Sequence, residues 1–233
     1  MVDSGRNQGG AAPDHVTPAV ISATASGLFA DGPAALRLIQ RYRPFICPFH
    51  RLLEWVPRGS SVLDVGCGAG LFLGLLAHGG GIGRGFGFDA GLKQVESARL
   101  MARRLEGRTP ARLVFEHRDV ADSWPQESFD VVCLIDVMHH VPVPQRRGLV
   151  SKILERVGPT GRFLYKDIGG RPLWRAWANR IHDLAMVQEW VRYQPVEHVE
   201  QWCEQQGLML VHRERIDMCW YGHDLCVFER QGP

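Results

Sequence analysis

Val62-Leu63-Asp64-Val65-Gly66-Cys67-Gly68-Ala69-Gly70 decides the fold. Ser61 to Val65 is an apolar run interrupted by one carboxylate, short enough for a buried strand. Three glycines at alternate positions follow, and Leu71 to Ala77 reads as a helix. Glycines at such a turn let the backbone pass close to a ligand, and they start the helix with its N–H groups free. A GxGxG alone is a common turn. Here a strand precedes it and a helix follows, and a second acid, Asp89, ends the next strand roughly twenty residues on, where a carboxylate accepts from ribose hydroxyls. The combination predicts a nucleoside-containing cofactor.

The same rhythm extends in both directions. Gly85 to Phe88 reads as a strand, Leu92 to Leu105 as a helix, Arg112 to Glu116 and Phe129 to Ile135 as strands, and Gln145 to Val157 as a helix. Gly158 to Gly161 reads as a turn, after which Arg162 to Tyr165 opens a fifth strand. Strands alternating with helices predict βαβ units and a mostly parallel sheet with helices on both faces. A helix over Val196 to Gln206 follows. Leu208 to Val211 and Leu225 to Phe228 then read as two strands, joined by a segment containing Trp220, Tyr221, Gly222 and His223.

Residues 1–17 lack any period and read as a disordered tail. Residues 18–57 read as a helical cap: Ala35, Leu38, Ile39 and Tyr42 recur at helical spacing, broken at Arg43-Pro44 and Cys47-Pro48. Residues 58–233 form the cofactor-binding domain. Within it, 170–195 interrupts the rhythm with a helical stripe of Leu173, Trp177, Ile181, Leu184 and Val191, which reads as a lid.

The 233 residues carry 27 Lys and Arg against 25 Asp and Glu, a net charge of +2. That balance is too small for the field that nucleic-acid binding draws on, so no nucleic-acid partner is expected. The six cysteines form no CxxC pair. Neither Cys47 with His50 nor Cys219 with His223 and Cys226 follows a zinc spacing, so no metal is expected. The N-terminus lacks the order of a signal peptide, and no apolar run approaches the ~18 residues of a membrane span. These features predict a cytoplasmic protein with reduced thiols; they leave its oligomeric state open.

Together these motifs resemble the class I S-adenosylmethionine-dependent methyltransferases over about Pro57 to Phe228. The opening acid and glycine turn match Asp64, Gly66, Gly68 and Gly70, the ribose-binding acid matches Asp89, and the acid near the adenine matches Asp119. The fourth strand and its tail match Phe129 to Asp136 followed by Val137 to Val141, and the Gly-Pro-x-Gly turn matches Gly158 to Gly161. The resemblance implies a Rossmann-like sheet of seven strands, the last antiparallel. It implies S-adenosylmethionine as cofactor, S-adenosylhomocysteine as product, and cofactor contacts from Asp64, Gly66, Cys67, Gly68 and Gly70. Phe88, Asp89, Ala90, Asp119, Val120 and Ile135 complete the implied cofactor set. A sulfonium donor needs neither metal nor covalent intermediate, which agrees with the lack of both signatures.

The acceptor side is less legible. His140 after strand four and Asp167 at the end of strand five lie where ligands collect in open α/β sheets, and with His182 they are the candidate catalytic residues. Trp177, Asn179 and Asp183 on the 170–195 helix are candidate acceptor contacts. Tyr221 and His223 read as lying at a turn remote from the site. The expected acceptor is a small, partly apolar molecule. No Asn-Pro-Pro-Tyr follows strand four, which argues against amino-group methylation of nucleobases. Two rival classes are a nicotinamide-dependent oxidoreductase, whose turn would read GxGxxG where residue 71 is Leu, and a non-catalytic cofactor-binding scaffold.

Overall fold

The computed structural model describes residues 16–169, 193–219 and 221–230. Seven strands form one sheet in the order β3-β2-β1-β4-β5-β7-β6. They are β1 (Ser60–Val65), β2 (Ile82–Asp89), β3 (Arg112–His117), β4 (Phe129–Ile135), β5 (Val157–Ile168), β6 (Leu208–Met218) and β7 (Tyr221–Arg230). β1 to β5 pair in parallel, while β7 runs antiparallel to both β5 and β6. This is the doubly wound architecture that the sequence predicts.

The central strands are apolar on both faces because both faces are covered. Val62, Val131 and Cys133 point into one core, with α4 (Leu71–His78), α5 (Leu92–Leu105) and the N-terminal helices α1 (Pro18–Leu28) and α3 (Phe49–Leu53). Leu63, Val65, Val132 and Leu134 point into the other, with α6 (Val143–Leu154) and α7 (Val196–Glu204). Helix α4 is apolar nearly all round because it lies between the sheet and α1 and α5. A Cβ on its Gly74 would stand 2.8 Å from the Met101 sulfur and 3.3 Å from Leu28. A short helix α2 (Ala34–Tyr42) and a 3-10 turn over Arg43–Phe45 connect α1 to α3. No helix among the described residues is long and apolar enough to cross a membrane.

Three sequence readings need correction. Gly158 to Gly161 lies inside β5 rather than before it. Pairing advances from Val157 to Arg162 while β4 advances from Phe129 to Val131, so the glycines form a bulge against β4. A Cβ on Gly161 would sit 2.9 Å from the Phe129 carbonyl. The terminal strands are also longer than their apolar cores suggest, pairing from Leu208↔Arg230 to Met218↔Tyr221 with one register shift between Leu210 and His212. Tyr221, Gly222 and His223 are therefore strand residues. β6 is an edge strand with polar residues on both faces, where Arg213 pairs with Glu197 and Glu200 and Arg51 pairs with Glu214, and this hid its length. Finally, the helix expected over Gln145 to Val157 starts at Val143 and stops at Leu154.

Candidate functional site

The carboxyl ends of β1, β2 and β4 open onto a cavity of about 700 Å³. Gly66 and Gly68 reach it from the turn after β1, Phe88 to Ala90 from the end of β2, Asp119 and Val120 from beyond β3, and Ile135 from the end of β4. The turn is stitched to β2: Gly66 and Cys67 both donate their N–H groups to the Phe88 carbonyl, at 2.9 and 3.0 Å. Asp89 Oδ2 accepts from the Gly68 N–H and Oδ1 from the Gly91 N–H, both at 2.8 Å. The acid at the end of β2 thus organises the glycine turn while its carboxylate faces the cavity.

Asp64, Cys67 and Gly70, expected among the cofactor contacts, do not line the cavity. Cys67 packs in the apolar core. Gly70 begins α4, and a Cβ there would meet Phe115 at 2.8 Å. Asp64 lies beneath the turn, only 3% exposed, and burial pushes its carboxyl up to about 7 against the pull of Arg43, with Asp89 raising it further.

A carboxyl raised in the folded state holds a proton that the unfolded chain, titrating near 3.8, has already released. Stability from this group is therefore lost as pH rises between about 4 and about 7. Relative to Asp64→Asn, which cannot ionise, the wild type should lose unfolding free energy over that range. Urea titrations at several pH values measure the difference, and a flat difference would mean that Asp64 titrates normally.

Several lining groups escaped the sequence reading. Arg43, from the turn after α2, lines the cavity, with its guanidinium 5.6 Å from the Phe49 ring centre. Its only sequence signal was the break at Arg43-Pro44. Gln94 and Arg118 also line the cavity, as does Asp136. Asp136 is a non-glycine residue in the left-handed region, with φ 57°. Its Oδ1 accepts from Lys166 Nζ at 2.5 Å, and its own N–H donates to the Lys166 carbonyl. Burial alone would raise the Asp136 carboxyl, but the Lys166 ammonium, together with His223, Arg43 and His139, holds the group below the usual carboxylate range. Lys166 is correspondingly raised: burial opposes its charge and Asp136 more than restores it.

Of the candidate catalytic residues, His140 is exposed in the cavity wall. Asp167 is not: it is 3% exposed, on the opposite face of β5 from Lys166. Its carboxylate accepts from the His139 and Ile168 N–H groups, at 3.1 and 2.7 Å, and makes a short contact with His139 Nδ1. The expectation that Asp167 meets an acceptor directly is corrected, since its oxygens are spent on its neighbours. His139 in turn stands 4.1 Å from the His140 ring, centre to centre. Trp177, Asn179, His182 and Asp183, with most of the 170–195 segment, lie outside the described residues, as do residues 1–15. Among the described residues no cluster of His, Cys, Asp or Glu could hold a metal ion.

A family model described as a methyltransferase domain matches residues 38–213. The chain belongs to this family of class I S-adenosylmethionine-dependent methyltransferases. The chain is 33% identical over 120 residues to a ubiquinone biosynthesis O-methyltransferase from Photorhabdus laumondii, covering 51% of this chain and 46% of that protein. It spans about half the length of the curated relatives it matches first. Magnesium protoporphyrin IX methyltransferase from Synechocystis, solved with bound SAH, superposes with a TM-score of 0.67 at 17% identity, covering 90% of this chain and 93% of that one. An N-methyltransferase from Bradyrhizobium japonicum in complex with S-adenosylhomocysteine gives 0.61 at 17% identity, covering 89% and 98%. At such identities these likenesses carry the fold alone.

Proposed function

We propose that this methyltransferase transfers the methyl group of S-adenosylmethionine to a small, partly apolar acceptor. The observation that carries the reading is Asp89, a carboxylate at the end of β2 that faces the cavity while accepting from the backbone of the glycine turn. Its remaining lone pairs suit two ribose hydroxyls. The cradle fits the rest of the cofactor. A Cβ on Gly68 would find nothing within 4 Å except Arg43 Nη1 at 3.6 Å, so the backbone is open to a ligand there. Arg43 suits the methionine carboxylate, and Asp119 with Val120 suits the adenine edge. When bound, the cofactor supplies an electrophilic methyl group on a sulfonium, and the protein's part is to align the acceptor and exclude water.

His140 is the imidazole placed to take a proton from the acceptor, with His139 and Asp167 behind it as a buried positioning pair. The relatives' role as O-methyltransferases favours oxygen as the accepting atom. The small net charge supports a small molecule rather than a nucleic acid. All six cysteines are free thiols, in keeping with a cytoplasmic setting.

Calorimetry with S-adenosylmethionine tests the reading. Charge-assisted hydrogen bonds are worth roughly 1.5–3 kcal/mol each, so Asp89→Ala should weaken binding about tenfold or more. Because Asp89 also holds the turn, the melting temperature of the variant is measured alongside. In a second arm, His140→Ala should keep cofactor affinity and lose release of S-adenosylhomocysteine with a panel of phenols. Unchanged affinity in a folded Asp89→Ala would sink the assignment.

A further inference from the structure

β7 enters the sheet at the edge where the cofactor cavity lies, and it brings His223 with it. Lys166 pairs with Leu225 and Ile168 with His223. Alternation along the two strands therefore puts the Lys166 and His223 side chains on one face, the face that carries Leu164, Leu225 and the cap residue Cys47. His223 is 1% exposed, and among the described residues neither ring nitrogen has a partner that meets hydrogen-bond geometry. The Ile46 backbone, in the connection to the cap, also acts on the ring, in the direction that favours its charged form. The Tyr221 ring stacks beside the imidazole, 6.0 Å away between centres and inclined by 22°. Buried polar atoms are paired in nearly all native structures, so two orphaned nitrogens on one ring call for an explanation.

The geometry points to His223, beside the Asp136–Lys166 pair, as a hydrogen-bonding subsite for an uncharged hydroxyl group of the methyl acceptor. This rests on the methyl-transfer reading and names the acceptor chemistry that fits it. Continuity with the cofactor is supplied by Asp136, whose side chain is 20% exposed in the cavity wall and whose Oδ1 lies 2.5 Å from the fully buried Lys166 Nζ. Asp136 has a left-handed backbone, and strain of this kind gathers at functional positions.

Charge decides the ligand class. Lys166 and Asp136 neutralise each other, and burial, then the Lys166 charge, pushes the His223 pKa down to about 3, so its ring is neutral at working pH. A neutral imidazole offers a donor on one nitrogen and an acceptor on the other, and a hydroxyl, which can accept or donate, pairs with either. A carboxylate or an ammonium would add an uncompensated charge to a buried, balanced group. The ring is 1% exposed, so the hydroxyl enters by displacing the packing around it.

Catechol is the probe, titrated calorimetrically into the full-length protein saturated with S-adenosylhomocysteine, with benzoate and benzylamine as charged counterparts. Catechol should bind and shift the His223 ring-nitrogen resonances, and the charged probes should not. His223→Leu removes two unpaired polar atoms, so the free protein should melt no lower than wild type. It should keep its S-adenosylhomocysteine affinity and bind catechol about three- to tenfold more weakly. His223→Gln, which retains a donor and an acceptor, should recover part of the loss. The subsite is overturned if S-adenosylhomocysteine binds but catechol does not. It is equally overturned if catechol leaves the His223 resonances in place, as an internal water satisfying the ring would predict, or if the charged probes bind as well. Failure of S-adenosylhomocysteine itself to bind removes the methyl-transfer reading and the subsite with it.

Discussion

Replacing Lys166 with methionine should lower the unfolding free energy by about 3–5 kcal/mol, the loss expected when one partner of a buried ion pair is removed. Lys166 is fully buried at the end of β5, and its ammonium is the main influence holding the Asp136 carboxyl ionised against burial. Methionine fills much of the same volume, so the loss measures stranded charge rather than a cavity. The Asp136 side chain keeps some contact with solvent, which places the expected value toward the lower end. Lys166→Met combined with Asp136→Asn removes both charges and should recover most of the stability. Acid should narrow the gap between wild type and Lys166→Met. A carboxyl depressed in the folded state gives stability above its unfolded pKa, and that stability fades as pH falls below about 4. Urea unfolding of the three proteins measures each value. A double variant no more stable than the single one would show that the pair is not the source.

Local pattern accounts for what could be read before the fold was known. Leu92–Leu105 and Phe129–Ile135 have the bounds expected of them, because one has an amphipathic period and the other an apolar run between polar ends. β2 was visible only from Gly85, yet it pairs from Ile82. Its glycines give no alternation to follow, and their missing side chains are replaced by neighbours. A Cβ on Gly85 would stand 2.7 Å from Leu113, and one on Gly87 2.9 Å from Cys67.

The candidate site divides along the same line. The turn and Asp89 are adjacent to strand ends and carry a local signature. Arg43 arrives from a different element, where only the break before Pro44 marks it. Asp167 was legible as a strand-end acid but not as one facing away from Lys166, because the face of a strand depends on which core receives it. His223 looked like part of a connecting segment because the polar half of β6 concealed the hairpin. Its orphaned nitrogens and its place near Lys166 exist only once β5 and β7 are paired.

Gly68→Val is expected to abolish S-adenosylmethionine binding while the protein stays folded, and its neighbours show why this glycine differs. Gly66 and Gly68 both have positive φ, 71° and 54°. A Cβ on Gly66 would meet Val137 at 2.5 Å, so that glycine is demanded by packing inside the protein. A Cβ on Gly68 would meet only the end of the Arg43 side chain, at 3.6 Å, and would otherwise enter the cavity. A valine there stands where the proposed ligand passes closest to the backbone. The left-handed conformation itself costs roughly 1–2 kcal/mol for a residue with a Cβ, which lowers the melting temperature by about 2–8 °C in a protein of this size. Binding should fall far more than stability. Gly66→Ala should do the reverse in kind, unfolding the turn and losing the ligand only as a consequence. Differential scanning calorimetry and isothermal titration on both variants separate the two outcomes. Normal cofactor affinity in Gly68→Val would mean that the ligand does not pass over this turn. A collapse of Gly68→Val matching that of Gly66→Ala would mean that Gly68 serves the fold as Gly66 does.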